Sequence, residues 1–199
     1  MGAGGSLREV SRRAVQSRIA RTAEALFVAK GFEETTVDEI AAAVGMSQRS
    51  FFRYFASKDE VVLDSVERLG EELSARLEAR PPGESVWDSL RRAFDPVVER
   101  LADPAVRERD QVLHEIVSAS PRLLAAYLGR LDLLQRSLAE LLVERAGRSG
   151  AEPDAVVVRA IVGGAFACLQ AASLHCGTDP EVFEPCLDRT MEALRPVAA

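Results

Sequence analysis

The fold is decided by residues 35–60, which read TTVDEIAAAVGMSQRSFFRYFASKDE. Thr36 and Glu39 have the spacing of a capping box, in which a hydroxyl and a carboxylate bond the orphan N–H groups at a helix start. Gly45 offers the left-handed backbone that ends a helix, and Ser47 is suited to be an N-cap only two residues later. The stretch therefore predicts a short helix, a tight turn and a second helix.

Helices are predicted on both sides of this stretch as well. Apolar residues recur at helical spacing over residues 19–27, and Gly31 then provides a C-cap near Lys30. Downstream, the segment 57–60 is a second capping box that opens a long helix. Its apolar stripe continues until the Pro-Pro-Gly sequence at 81–83, which stops a helix.

Residues 35–47 and 54–60 together resemble the N-terminal domain of the TetR family of regulators, a resemblance that spans about residues 14–65. It implies a three-helix DNA-binding domain whose third helix is the recognition helix. It also implies that a long fourth helix leads into a helical ligand-binding and dimerisation domain.

The predicted fold class is accordingly all-α, with a helix-turn-helix domain followed by an antiparallel helical bundle and about nine helices in total. No segment shows the alternating pattern of a half-buried strand. We assign residues 1–13 to a flexible basic arm, residues 14–60 to the DNA-binding domain and residues 61–199 to the ligand-binding and dimerisation domain.

The resemblance places a group of side chains on or beside the DNA-facing surface. Arg49 and Arg53 lie one helical turn apart and are suited to guanine edges or phosphates, while Gln48 is suited to adenine. The family most often has Tyr at the position of Phe52, so a phosphate contact gives way there to an apolar contact with a thymine methyl group. The predicted DNA-binding residues are Thr36, Gln48, Arg49, Ser50, Phe52, Arg53, Tyr54 and Lys58, with Thr36 and Lys58 at phosphates. Phe51 and Phe55 are predicted to be core residues.

Charge is distributed unevenly, and this favours a nucleic-acid partner for the N-terminal part. The chain has a net charge of -6. Residues 1–58 nevertheless contain nine Lys and Arg against six Asp and Glu, whereas the rest contains 16 against 25. Because the phosphate field acts locally, the basic N-terminal segment matters more than the total.

A homodimer is predicted from residues 156–174, which are apolar almost all round and contain Gly163 and Gly164. An interior core helix of a monomer is the alternative, and the resemblance favours pairing through the last two long helices. Pro185 falls inside the expected final helix and is predicted to kink or delay it.

The second half is predicted to bind a small-molecule effector, and its apolar character favours an apolar or acyl-bearing one. The candidate ligand-binding residues are Trp87, Phe94, His114, Tyr127, Phe166 and Cys168. The predicted function is an effector-released repressor that binds a palindromic operator in double-stranded DNA. We predict no cofactor and no metal site.

Other functions receive less support from the sequence. His114-Glu115 begins an HExxH zinc motif, but Ser118 stands where the second histidine belongs, so we predict no enzyme. Cys168, Cys176 and Cys186 contain no CxxC pair, which argues against a disulfide framework and for a reducing compartment. A redox- or metal-responsive regulator sensing through these cysteines, or a helical adaptor without DNA binding, stays an alternative. With no secretory signal and no uncharged apolar run of 18 residues, we expect a cytoplasmic protein without a membrane partner.

Overall fold

Ten α-helices make up the part of the chain that the computed structural model describes, residues 7–177 and 179–196, and that part contains no β-strand. In chain order they are α1 (Leu7–Lys30), α2 (Val37–Val44), α3 (Gln48–Phe51), α4 (Lys58–Glu78), α5 (Val86–Ala93), α6 (Asp95–Leu101), α7 (Pro104–Ala119), α8 (Pro121–Arg148), α9 (Ala155–His175) and α10 (Pro180–Ala193). The all-α prediction is confirmed.

The caps and turns around α2 form as the local sequence predicts. Thr36 Oγ1 accepts from the Glu39 N–H at 3.3 Å, and the Glu39 carboxylate accepts from the Thr36 N–H at 2.8 Å, which completes the capping box. Gly31 and Gly45 have φ angles of 92° and 78°, in the left-handed region that favours glycine. Helix α1 therefore ends at Lys30, and α2 ends immediately before Gly45.

Helix α1 begins earlier than the predicted domain boundary. Residues 7–13, assigned from the sequence to a flexible arm, form the first turns of α1. Their sequence contains Leu, Arg, Glu and Ser but no Gly or Pro, so nothing in it breaks a helix that continues into the core. Residues 1–6 of the predicted arm lie outside the described residues.

The N-terminal unit combines residues up to Ser65 with Glu108–Tyr127. Its buried core takes residues from α1, α2, α4 and α7, together with both predicted core phenylalanines and one residue at the start of α8. The core residues are Ile19, Ala20, Ala23, Phe27, Ile40, Ala41, Val44, Phe51, Phe55, Val61, Val62, Leu63, Leu113, Val117 and Leu123. Helices α2 and α3 are too short to enclose a core alone, and α7 supplies part of the missing apolar surface.

The C-terminal unit comprises residues from Val66 to Arg107 and from Leu128 onward. Its core includes Leu73 and Leu77 of α4, part of the stripe that the sequence predicts. The indole Nε1 of Trp87 donates to the Met191 carbonyl at 3.1 Å, which fixes α10 against α5. The Arg145 guanidinium donates at 2.6 Å to the carbonyls of Arg80 and Pro81, where α4 has ended.

Residues 86–101 form two consecutive helices. Helix α5 ends at Ala93 and α6 begins at Asp95, with Phe94 between them. Pro96 lies in the first turn of α6, where its missing N–H costs nothing. This break accounts for ten helices rather than about nine.

Helix α10 passes through Pro185, and the predicted delay of the last helix is wrong. The helix begins at Pro180 and places Pro185 inside it, on the exposed side. Asp179 is the N-cap, and its carboxylate accepts from the Glu181 N–H at 3.0 Å. Capping by Asp179 and burial of Phe183, which is 1% exposed, fix the start of the helix ahead of the proline.

The cysteines also differ from the sequence-based argument against a disulfide framework. Cys176 and Cys186 form a disulfide with a Cα–Cα distance of 6.5 Å. Cys168 is a free thiol and is buried. A separation of ten residues contains no signal for this pair, because only the turn between α9 and α10 brings the two residues together.

Candidate DNA-binding surface

The predicted recognition segment, residues 48–54, is helical at its start and tightens toward its end. Ser47 caps α3 by accepting from the Ser50 N–H at 3.2 Å. Beyond Phe51, the Arg53 N–H bonds the Ser50 carbonyl at 3.2 Å, which is the shorter spacing of a 3₁₀ turn. The segment is therefore a short rod and not an extended strand.

One side of this rod faces the core and the other faces outward. Phe51 is fully buried and Phe55 is 5% exposed, so both are core residues as predicted. Phe52 is 50% exposed, and its ring packs edge-on against Phe51 with 5.6 Å between ring centroids. The aromatic residues thus hold the rod in place while leaving one aromatic face open.

The two arginines lie on the outward side. Gln48, Arg49 and Arg53 are exposed, and neither guanidinium has a hydrogen-bond or salt-bridge partner in the described part of the chain. Such a pair of cations presents donors at a spacing of one helical turn. This geometry suits base edges or phosphates, both of which accept hydrogen bonds from guanidinium groups.

Helix α1 supports the rod from behind. The Arg18 guanidinium donates to the Val44 carbonyl at the end of α2, and the Gln16 side chain donates to the Tyr54 carbonyl at 3.5 Å. Tyr54 is half-buried and packs against the core, and Ser50 is half-buried with its hydroxyl 3.0 Å from that of Ser47. These two predicted contact residues are therefore partly engaged within the protein.

The N-terminus of α2 already carries a negative charge. Hydrogen bonds from Lys30 and from the backbone and hydroxyl of Thr36 hold the pKa of Glu39 at about 2, well below its ordinary value of 4.5. The Lys30 ammonium lies 2.5 Å from the Glu39 carboxylate. Thr36 is exposed, as a phosphate contact requires, but its hydroxyl donates to Glu39 at 2.8 Å. A phosphate approaching this helix end meets a carboxylate as well as the helix dipole.

Lys58, predicted as a phosphate clamp, has partners within the protein. Its ammonium donates to the Phe32 carbonyl at 2.8 Å and lies 4.2 Å above the centre of the Phe32 ring. The Glu33 carboxylate is 3.5 Å away. Lys58 thus fastens the start of α4 to the loop between α1 and α2, a role that no local sequence signal indicates.

The predicted ligand-binding residues fall in two different units. Trp87, Phe94, Phe166 and Cys168 share the core of the C-terminal unit, where the Phe94 and Phe166 rings meet edge to face at 5.4 Å. The other two residues belong to the N-terminal unit. His114 is exposed on α7, with its Nε2 3.5 Å from the Ser118 hydroxyl, and Tyr127 packs against that unit's core.

Helix α9 has an apolar side that its own unit leaves uncovered. By length and composition it is a candidate membrane span, but Val162 and Ala165 on its inner side are fully buried in the core. On its outer side Val156 is 78% and Leu174 59% exposed. Gly164 faces inward, since a Cβ there would lie 3.6 Å from the Trp87 ring, so this glycine serves packing within the chain.

Comparison with known proteins identifies the family that this geometry belongs to. Residues 19–64 match the model of bacterial regulatory proteins of the tetR family, and residues 84–199 match that of the MftR C-terminal domain. The HTH-type transcriptional regulator TcmR of Streptomyces glaucescens is 35% identical over 202 residues, which cover 97% of this chain and 88% of TcmR. The chain belongs to the TetR family of transcriptional regulators.

Solved structures of other regulators share the fold. SmeT, the repressor of the Stenotrophomonas maltophilia multidrug efflux pump SmeDEF, was solved with triclosan and matches with a TM-score of 0.59 and 22% identity, covering 90% of this chain and 91% of SmeT. FadR of Thermus thermophilus, solved with lauroyl-CoA, matches with a TM-score of 0.56 and 24% identity, covering 92% of this chain and 96% of FadR. At these identities the likeness concerns the fold.

Family membership decides between the classes of function that the sequence left open. As a TetR-family protein the chain is a DNA-binding transcriptional regulator and not an enzyme, as the sequence predicts. Metal sensing gains no support from the described residues, in which no three His, Cys, Asp or Glu side chains are grouped to hold an ion.

Proposed function

We propose that this chain is an effector-released repressor that binds a palindromic operator as a homodimer. The observation that carries the proposal is the outward side of residues 48–54, where Arg49 and Arg53 are exposed on a rod anchored by buried Phe51 and Phe55. A rigid rod with unengaged cations is suited to the major groove, because base contacts require side chains held in register with the duplex.

Within this surface each side chain has its own expected contact. Arg49 and Arg53 donate to guanine edges or to phosphates, and Gln48 reads adenine. Exposed Phe52 packs on a thymine methyl group. Thr36, Ser50, Tyr54 and Lys58 stay in the proposed surface with smaller roles, because each is bonded or partly buried within the protein.

A second copy of the chain is the proposed occupant of the apolar side of α9. Val156, Ala160, Ala167 and Leu174 are exposed along one side of the helix, at a spacing that keeps them on a single stripe. A row of exposed apolar side chains, with a large one at each end, marks an interaction surface on a soluble protein. A dimer formed here presents two recognition rods, as a two-fold palindromic operator requires.

The proposed effector is an apolar or acyl-bearing small molecule bound in the C-terminal unit. Its core packs Trp87, Phe94, Phe166 and Cys168 together with other apolar side chains. Two proteins of the same fold were solved with lauroyl-CoA, whose acyl chain is apolar, and with triclosan, an aromatic compound. Exposed His114 and half-buried Tyr127 belong to the N-terminal unit and are weaker candidates for this site.

The operator is released if the effector binds the conformation that cannot bind DNA more tightly than it binds the DNA-binding conformation. Helix α4 has residues in both units, so a change in the C-terminal unit has a direct covalent route to the N-terminal one. To move the ratio of the released conformation to the DNA-binding conformation from 1:99 to 99:1, the effector must bind the released conformation more tightly by about 5.5 kcal/mol. Because its proposed target is chromosomal DNA, we expect the protein to act in the cytoplasm.

The test begins with selection of bound sequences from random double-stranded DNA, followed by affinity measurement on the selected site. We expect Arg49→Ala to weaken operator binding by about 1 to 3 kcal/mol while the protein stays folded by circular dichroism. Arg122→Ala is the matched control, since Arg122 is an exposed arginine of the same unit outside the proposed surface.

Two outcomes would contradict this function. If Arg49→Ala bound the operator with wild-type affinity, the outward side of residues 48–54 would not be part of the DNA interface. Failure of the wild-type protein to enrich any sequence would favour the helical adaptor without DNA binding.

A further inference from the structure

The disulfide between Cys176 and Cys186 joins the C-terminal end of α9 to the middle of α10 across the turn between the two helices. Cys176 is the C-cap residue of α9 and is partly buried. Cys186 lies inside α10 and is 5% exposed, between the buried side chains Phe183 and Leu187. The bond thus closes a short loop at the tip of a helical hairpin, the α9–α10 hairpin (residues 155–193).

This hairpin has other interactions that hold it together. Gly177 takes the left-handed conformation in the turn, and the Phe183 N–H bonds the Asp179 carbonyl at 2.7 Å. The Arg91 guanidinium of α5 pairs with Glu184 at 3.2 Å and with Asp188. Loss of the disulfide is therefore expected to loosen the tip of the hairpin without unfolding the unit.

A disulfide is unusual in the cytosol, where we expect this DNA-binding regulator to work. Glutathione and thioredoxin keep cytosolic thiols reduced, and the disulfides that form there are mostly transient and redox-sensing. Because Asp179 already caps the start of α10, we expect the protein to fold without this disulfide. We propose that Cys176 and Cys186 form a reversible dithiol–disulfide pair that regulates this protein by setting how firmly the α9–α10 hairpin is held.

The chemistry needs only these two thiols and a peroxide as oxidant. The thiolate of Cys176, the more exposed of the two, attacks one peroxide oxygen; the O–O bond breaks, leaving a sulfenic acid and water. The Cys186 thiolate then attacks the sulfenic sulfur, and the S–O bond breaks with release of a second water. Overall two thiols lose two electrons and two protons, and hydrogen peroxide is reduced to two waters. Thiol–disulfide exchange with glutathione reverses the reaction.

Cys168 is not part of this pair. It is 1% exposed, and burial raises the pKa of its thiol, so little reactive thiolate forms there. The structure leaves it as a free thiol in the core. Cys168 therefore serves as an internal reference for thiol counting.

The link to regulation rests on the proposed dimer. Leu174 lies two residues before Cys176 and is 59% exposed, and Val182 on the other side of the turn is 49% exposed. The disulfide fixes the C-terminal end of α9, close to Leu174, against the middle of α10. The oxidised hairpin is expected to hold these side chains in place for the second copy, and the reduced hairpin to hold them less firmly.

The experiment compares the full-length protein after hydrogen peroxide with the protein equilibrated in glutathione buffer at a cytosolic redox potential. We expect one alkylatable thiol after denaturation of the oxidised sample and three in the reduced one, with a mass difference of about 2 Da for the two hydrogens. The oxidised form should melt about 5 to 10 °C higher. Its dimer dissociation constant should be about fivefold lower, a change that corresponds to ~1 kcal/mol.

Cys176→Ser is the informative variant, because its site is partly exposed and tolerates a hydroxyl. It should melt like the reduced wild type and lose all response to peroxide, whereas Cys168→Ala should keep the response. A disulfide that glutathione fails to reduce in the native protein would be structural and would overturn the proposal. An unchanged melting temperature and dimer affinity on reduction would do the same.

Operator binding, measured in the same samples, separates this proposal from the proposed function. If thiol count, melting temperature and dimer affinity respond while no DNA is bound in either state, the repressor assignment fails and the redox pair stands. If the operator is bound but every property ignores the redox state, the pair is not regulatory and the repressor stands.

Discussion

The two units of this protein differ in how far their structure is encoded by neighbouring residues. In the N-terminal unit, the helix ends follow from residues three or fewer positions apart, such as Thr36 with Glu39 and Ser47 with Ser50. In the C-terminal unit, the decisive contacts join residues far apart in sequence, such as Trp87 with Met191. Local signals therefore identify the proposed DNA-binding surface, whereas the unit proposed to bind the effector depends on packing that a single sequence does not display.

The largest expected effect separates the two neighbouring phenylalanines of the recognition segment. Phe51→Ala empties a fully buried site in the N-terminal core and should lower the free energy of unfolding by about 3 to 5 kcal/mol. Phe52→Ala removes an exposed ring and should change it by less than about 0.5 kcal/mol while weakening operator binding. Urea denaturation measures the free energy of unfolding of the two variants, and titration with operator DNA measures their affinity. Equal destabilisation by the two substitutions would show that the rod does not have one inward and one outward side.

The next largest effect compares a glycine-to-alanine substitution in each unit, one at a glycine with positive φ and one at a glycine inside a helix. Gly45→Ala forces a side chain into a φ of 78° and should destabilise the protein by about 1 to 2 kcal/mol. Gly129→Ala lies inside α8 of the C-terminal unit with open space around the new Cβ, so it should stabilise by about 0.5 to 1 kcal/mol. Thermal unfolding of both variants measures this difference in sign. The same sign for both would contradict the assigned helix end at Gly45.

The smallest expected effect concerns the capping box of α2. The pKa of Glu39 is lowered in the folded protein to about 2 from 4.5, so its ionised form stabilises the fold at a pH above 4.5. This contribution is lost as the pH falls from 4.5 toward 2. Glu39→Gln should therefore show a weaker acid dependence of stability over that range than the wild type, while Glu34→Gln, at an exposed site outside the box, should not. Identical pH profiles for the wild type and Glu39→Gln would count against the box.

The features that could be predicted from the sequence are those set by interactions between residues close together in the chain. The caps at Thr36 and Ser47, the turn at Gly45 and the division between core Phe51 and exposed Phe52 were predicted and are present. A capping residue and a glycine with positive φ act over one helical turn, so their spacing in the chain is sufficient evidence.

What the sequence did not reveal depends on segments that meet only after folding. Helix α7 contributes Leu113 and Val117 to the N-terminal core although it lies about 50 residues beyond that domain's predicted end. Lys58 bonds the loop at Phe32, and Cys176 meets Cys186 across a turn. Each contact joins residues whose proximity no local pattern records, and for this reason the ligand-binding candidates were also divided between two units.

The central claim, that the outward side of residues 48–54 lies in the major groove, is tested most directly by dimethyl sulfate methylation of guanine N7 on the selected operator. Wild-type protein is predicted to protect guanines in two half-sites about one helical turn apart. In the Arg49→Ala variant, the guanine that Arg49 contacts is predicted to stay reactive. Binding with every guanine N7 fully reactive, or protection unchanged by Arg49→Ala together with Arg53→Ala, would contradict it.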